Sequence, residues 1–127
     1  MDTDRLAVHL AGDREKPALL LIHGFPSSSQ SFRDVIDVLA KDCFVIAPDL
    51  PGFGRSEPIA QASFSRFADA IDALLERLGV VSFHLYLHDF GAAVGLHLAT
   101  RLPQRVRGLV IQNANAHESG FGPAWSA

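Results

Sequence analysis

Short apolar runs alternate along this chain with segments of helical periodicity, and this alternation most limits the folds open to it. The runs suited to strands are residues 6–10, 18–22, 43–47, 81–87 and 106–111. Helices are expected at residues 32–40, 64–78 and 92–102. Strands that alternate with helices build right-handed β-α-β units around a parallel sheet. The sequence therefore predicts an α/β fold with a mostly parallel sheet and flanking helices.

Composition and charge exclude several classes of function. The 127 residues are 48% hydrophobic and 20% charged, which is typical of one globular domain and not of a disordered tail. The chain has eleven Lys and Arg residues against fourteen Asp and Glu, so it lacks the excess of positive charge that is typical of nucleic-acid binding. The charged N-terminal segment has no apolar run long enough for a signal peptide or membrane span, and the lone Cys43 cannot form an intrachain disulfide. We therefore expect a cytoplasmic protein with no nucleic-acid or membrane partner.

Two segments stand where the predicted parallel strands end, which is where α/β sheets place their chemistry. They are HGFP at residues 23–26 and LHDFG at residues 87–91. In the second, Asp89 separates an apolar strand from a helix that starts with small residues, so the helix can pass close behind the turn. Such a turn aims the carboxylate away from the sheet, beside the following backbone N–H and the helix N-terminus. Taken alone, Asp89 is read more readily as a helix N-cap, and the first segment as a turn that ends a strand.

Three segments taken together are more specific: HGFPSSSQSF (23–32), APDLPGFGRS (47–56) and LYLHDFGAAVG (85–95). In this order they resemble the first half of an α/β-hydrolase-fold enzyme, and the resemblance covers residues 6–127. It points to the branch with an aspartate nucleophile, the epoxide hydrolases and haloalkane dehalogenases. It implies that residues 1–127 form the N-terminal part of an α/β-hydrolase core domain. This partial fold would lack the cap domain and the C-terminal strands.

The resemblance assigns roles to residues of the two strand-ending segments. Asp89 stands at the position of the nucleophile, whose ester with the substrate is hydrolysed by water. The backbone N–H groups of Phe25 and Phe90 stand where the family holds the oxyanion. The residues that support the first of these donors are His23, Gly24 and Pro26. The loop at residues 51–56 resembles a structural loop near the site, and we expect no chemistry from it. No metal-ligand spacing and no phosphate-binding glycine loop appears, so we expect no cofactor.

The two reactions of this branch need different residues to stabilise the leaving group. Dehalogenases typically place Trp directly after the nucleophile and often Asn at the first oxyanion position, because a departing halide needs side-chain N–H donors. Here these positions hold Phe90 and Phe25. His88-Asp89 resembles the turn of epoxide hydrolases, although Leu87 before it resembles the dehalogenases. The sequence favours epoxide hydrolysis of a small hydrophobic substrate, with haloalkane dehalogenation as the alternative in the same fold.

The resemblance also implies parts that this stretch of sequence does not supply. The family's histidine base and orienting carboxylate usually follow a cap domain. None of the six histidines matches the catalytic position: they are His9, His23, His84, His88, His97 and His117. The other weak candidates are Asn113 and Glu118 for the acid, Tyr86 as the only tyrosine, and Trp125 as the start of a cap. We therefore expect a hydrolase fragment that is not active alone, or else a non-catalytic remnant that binds a ligand or partner.

Overall fold

The computed structural model describes residues 6–113, which form a five-stranded sheet with helices on both faces. The strands are β1 (Val8–Ala11), β2 (Ala18–Ile22), β3 (Phe44–Pro48), β4 (Phe83–His88) and β5 (Val106–Gln112). The helices are α1 (Ile36–Leu39), α2 (Phe64–Arg77) and α3 (Gly91–Arg101). Every predicted strand is present, as are the helices predicted at 64–78 and 92–102, with ends shifted by at most two residues.

The strand order is β1-β3-β2-β4-β5. β3, β2, β4 and β5 run parallel, whereas β1 pairs with β3 in the antiparallel direction. This confirms the prediction of an α/β fold with a mostly parallel sheet. Between residues 6 and 113, no helix has the length and apolar character that a bilayer crossing requires.

The prediction of a helix over residues 32–40 is wrong for most of that segment. A 3-10 turn at Ser29–Phe32 comes first, and α-helical geometry is limited to Ile36–Leu39. The Ser28 side chain accepts the Gln30 N–H and so starts the tight turn. Within this segment Val35 is 45% exposed, and Ile36 is the buried residue of α1. Phe32, Ile36, Leu39 and Ala40 pack on the core, whereas Val35 and Val38 face the solvent.

The core has two layers because successive side chains of a strand point to opposite faces of the sheet. Leu20 and Ile22 of β2 pack on one side with the buried residues of α2 and α3. Leu21 packs on the other side, together with Phe32 and Ile36. Burial on both faces explains why β2 and β3 are continuous apolar runs.

The strand register brings the carboxyl ends of the parallel strands to one edge of the sheet. Ile22 at the end of β2 lies opposite Leu87 of β4, and His88 lies opposite Gln112 of β5. The loops that follow these strands therefore start side by side.

Candidate active site

Asp89 occupies a strained turn between β4 and α3. Its φ is +56°, in the left-handed region that few residues other than glycine adopt, although Asp and Asn are the best tolerated. The Ala92 N–H donates to the Asp89 carbonyl at 3.1 Å, which closes the turn. The N-cap of α3 is Phe90, and no side chain caps the helix there. Asp89 is thus not the helix cap that the isolated motif suggests.

The Asp89 carboxylate instead contacts the loop that follows β2. The backbone N–H of Phe25 donates to Asp89 Oδ2 at 3.0 Å. This contact needs a glycine before Phe25, because a Cβ on Gly24 would lie 2.6 Å from the Cβ of Asp89. The next peptide bond, Phe25–Pro26, is cis. The structure therefore brings together four of the residues singled out in the sequence: Gly24, Phe25, Pro26 and Asp89.

His23 lies beneath this loop, fully buried. Its Nε2 accepts the Leu50 N–H at 2.9 Å, and its Nδ1 lies 2.8 Å from the Gly24 carbonyl oxygen. Since an N–H group points at Nε2, the ring proton belongs on Nδ1, which donates to the carbonyl. Burial lowers the pKa of His23 and outweighs the Gly24 carbonyl and the Asp49 charge, which act to raise it. The histidine is a neutral structural link and not an exposed base.

Asp49, to which we assigned no role from the sequence, organises the loop after β3. Its Oδ1 accepts the Ser29 N–H at 2.7 Å and its Oδ2 accepts the Arg55 N–H at 3.1 Å. Burial acts to raise the pKa of Asp49, but these hydrogen bonds and nearby His23 bring it below its ordinary value. The signal that could have found it is a carboxylate directly after a strand buried on both faces.

An apolar cavity of about 210 Å³ opens over the turn. Its lining residues are Gly24, Phe25, Leu50, Phe53, Phe64, Phe67, Phe90 and Val94. The Phe25 and Phe90 rings meet edge to face at 5.6 Å, and Phe64 stacks on Phe90 at 6.2 Å. Phe64 and Phe67 lie in the first turn of α2, a helix from which we predicted no site residue. Since Gly24 and Phe90 flank the carboxylate, the cavity and Asp89 form one site.

The other residues considered from the sequence lie away from this cavity. His9, His84 and His97 are exposed, and His88 is half-buried at the end of β4. The Tyr86 hydroxyl donates to the side chain of Gln112, and Asn113 is exposed just beyond β5. His117, Glu118 and Trp125 lie outside the described residues. In the part of the chain from 6 to 113, no three His, Cys, Asp or Glu side chains come together as metal ligands would.

Known proteins with similar sequences show which family this chain resembles. The sequence model described as the alpha/beta hydrolase fold matches residues 17–125. An uncharacterized hydrolase of Saccharomyces cerevisiae is 45% identical over 113 residues, which are 87% of this chain and 39% of the yeast protein. A haloalkane dehalogenase of Bradyrhizobium diazoefficiens is 38% identical over 82% of this chain and 34% of its own length. The chain thus spans less than two fifths of the length of these curated relatives.

Two of the solved structures that this chain matches are named for a haloalkane dehalogenase and an epoxide hydrolase. A putative ancestral haloalkane dehalogenase matches with a TM-score of 0.80 and 36% identity over 86% of this chain and 38% of its own. A mutant of a putative epoxide hydrolase from Pseudomonas aeruginosa matches with a TM-score of 0.76 and 33% identity over 84% and 36% of the two chains. The matches therefore include proteins named for both of the chemistries that the sequence left open.

Proposed function

We propose that this chain, which belongs to the α/β-hydrolase fold family, carries the nucleophile of a hydrolase that opens a small apolar epoxide. Asp89 is the nucleophile, and the backbone N–H groups of Phe25 and Phe90 are the oxyanion donors. Residues 1–127 supply the N-terminal part of the core domain. One observation carries the proposal: a carboxylate on a strained turn accepts a backbone N–H at 3.0 Å beside an apolar cavity.

The reaction follows from the two oxygens of Asp89. Oδ2 is held by the Phe25 N–H, so Oδ1 attacks a ring carbon and forms an ester. The ring C–O bond breaks, and its oxygen leaves with the electron pair and takes a proton from an acid. Water gives a proton to a base and attacks the ester carbonyl carbon, and negative charge develops on Oδ2, where the Phe25 N–H stabilises it. Collapse of this intermediate breaks the bond between the carbonyl carbon and Oδ1, the departing oxygen takes a proton to complete the diol, and the carboxylate is restored.

The cavity favours an epoxide over a halide. A departing halide stays anionic and needs N–H donors, whereas the oxygen of an opened epoxide can be neutralised by a proton. Every residue that lines the cavity is glycine or carries a hydrocarbon side chain, so none offers a side-chain donor. Phe25 and Phe90, at the positions where the halide donors were considered, turn their rings into this same cavity.

Haloalkane dehalogenation is the second candidate, and the names of the relatives support it. Besides the Bradyrhizobium protein, haloalkane dehalogenases of Mesorhizobium japonicum and Mycobacterium marinum match at 40% and 33% identity. In this alternative Asp89 attacks a halide-bearing carbon, and the ester is hydrolysed in the same way. The halide donors would then have to come from residues other than those that line this cavity.

The deciding experiment is a single turnover in water labelled with heavy oxygen, on the natural protein that contains this sequence. Styrene oxide and a chlorinated alkane are the two probes, and the Asp89→Asn variant is the control. We expect the first diol to carry no label, because its new oxygen comes from Asp89, and the label to appear in the Asp89 peptide. Label in the first diol, or an ester on another residue, would refute the assignment. Halide release without diol formation would select the second candidate.

A further inference from the structure

Both ends of α3 contact the first turn of α2, which forms one wall of the cavity. Next to the start of α3, the ring of Phe90 stacks on the ring of Phe64 at 6.2 Å. At the other end of α3, about 16 Å away along the helix axis, Arg101 bonds to Ser65, the residue that follows Phe64. The position of Phe64 at the cavity wall is therefore limited from two sides.

The guanidinium group of Arg101 binds three acceptors of α2 at once. Its Nη2 donates to the carbonyl oxygen of Ser65 at 2.9 Å and to the Ser65 hydroxyl at 2.7 Å. Its Nη1 forms an ion pair with Asp69, about one turn further along the same helix. Because a guanidinium is planar and its donors point in fixed directions, the three contacts together orient the first turn of α2 against the end of α3.

The loop before α2 gives this turn little support of its own. Residues 60–63 are exposed, and the side chain of Ser63 caps the helix by accepting the Arg66 N–H. This cap stabilises the helical turn, but it does not tie the turn to another element of the fold. Arg101 supplies such a tie, at the end of the helix that would otherwise fray most easily.

A second arginine makes matching contacts away from the cavity. Arg105 forms an ion pair with Asp72 at 3.5 Å and donates to the carbonyl oxygens of Val80 and Val81 at 2.8 Å each. These acceptors lie in the middle of α2 and just beyond its end, and none of the three residues lines the cavity. The two arginines therefore hold different parts of α2, of which only the first carries cavity residues.

We propose that Arg101 is a positioning residue for substrate binding: it holds the first turn of α2 so that the Phe64 ring stays stacked on Phe90 at the cavity wall. Its effect on the reaction rests on the function proposed above. Arg101 does not itself line the cavity. Its loss should therefore weaken substrate binding and leave bond making unchanged.

Replacing each arginine by methionine tests the proposal with a matched control. Arg101→Met keeps a long aliphatic side chain and removes every donor. For styrene oxide we expect the KM to rise by about 2- to 5-fold, the range that an exposed ion pair supports, at an unchanged kcat. Arg105→Met should lower the free energy of unfolding and leave the KM as it is. An unchanged KM in Arg101→Met, or an equal rise in the two variants, would overturn the proposal.

A double-variant cycle tests whether Arg101 acts through Phe64. If Arg101 affects binding only by placing the Phe64 ring, Arg101→Met should change the KM no further once Phe64 is replaced by alanine. The same rise in KM in both backgrounds would show that Arg101 acts by another route and would overturn the proposal.

A second readout needs neither turnover nor substrate. The Phe67 amide donates to the Ser63 carbonyl in the first turn of α2, and the Leu78 amide donates to the Leu74 carbonyl at its other end. In Arg101→Met we expect the Phe67 amide hydrogen to exchange faster with solvent and the Leu78 amide to exchange as in the natural protein. Unchanged exchange at Phe67 would overturn the proposal. If the natural protein hydrolyses no epoxide, the proposed function fails, whereas these exchange rates still decide whether Arg101 holds the turn.

Discussion

The Phe25 backbone N–H meets the Asp89 carboxylate at 3.0 Å although 64 residues separate them in the sequence. The meeting follows from the sheet, since β2 and β4 are parallel neighbours and Ile22 lies opposite Leu87. The residues that follow these two strands therefore leave the sheet side by side. This contact joins the two motifs on which the proposed chemistry depends.

Two replacements of Asp89 test its chemical role and its backbone strain separately. Asp89→Asn keeps an oxygen that can accept the Phe25 N–H, and asparagine tolerates the φ of +56°. We expect activity to fall on the order of 10⁴- to 10⁶-fold with little loss of stability. Asp89→Ala should lose the same activity and cost a further ~1 kcal/mol of unfolding free energy. Single-turnover kinetics and denaturant unfolding measure the two effects, with mass spectrometry to exclude deamidation of the introduced asparagine. Equal stability of the two variants would contradict the role given to strain.

Phe64 is expected to bind substrate without taking part in bond making. It begins α2 and stacks on Phe90 at the cavity wall, so its ring acts alike in the ground and transition states. Phe64→Ala should raise the KM for an aryl epoxide by about 3- to 10-fold and leave kcat nearly unchanged. Val38→Ala, at a residue of α1 that is 61% exposed, is the control and should change neither constant. A fall in kcat at constant KM would assign Phe64 a different role.

The sequence predicted the sheet and the tight turn at Asp89 because both depend on local patterns. Continuous apolar runs mark strands buried on both faces, and small residues after Asp89 mark a tight turn into a helix. The same periodicity failed at residues 32–40, because a Ser28 cap and a 3-10 turn took precedence over the spacing of the apolar residues.

The supporting contacts were less predictable because they depend on how loops pack. Periodicity predicts that α2 is a helix, but it cannot show that Phe64 in its first turn lines the cavity. The roles of Asp49 and of the His23 tautomer depend on backbone N–H groups 20 and 27 residues away in the chain. No local pattern specifies such partners.

Gly95 makes room for Leu87, the large residue that precedes the turn at Asp89. A Cβ at Gly95 would lie 2.1 Å from Leu87 Cδ2, and both residues are buried between α3 and β4. Gly95→Ala should therefore destabilise the protein by about 1–3 kcal/mol, although alanine favours a helix by about 1 kcal/mol. Adding Leu87→Ala removes the clashing methyl groups, so the double variant should be more stable than the sum of the two losses predicts. Denaturant unfolding of the four proteins measures this coupling, and additive losses would contradict the contact.

His23 should make the stability of the protein depend on pH. Its folded pKa is lowered from 6.5 chiefly by burial, so the unfolded chain binds the proton more readily. Stability is then complete above about pH 6.5 and falls as the pH drops toward the folded pKa, by at most ~1.4 kcal/mol per pH unit. The carboxylate of Asp49 faces the same loop, but its lowered pKa keeps it ionised until the pH falls below about 3.8. The difference in unfolding free energy between the natural protein and His23→Asn, measured from pH 7.5 to 5, isolates the histidine. A difference that does not change with pH would show that His23 titrates alike in the folded and unfolded states.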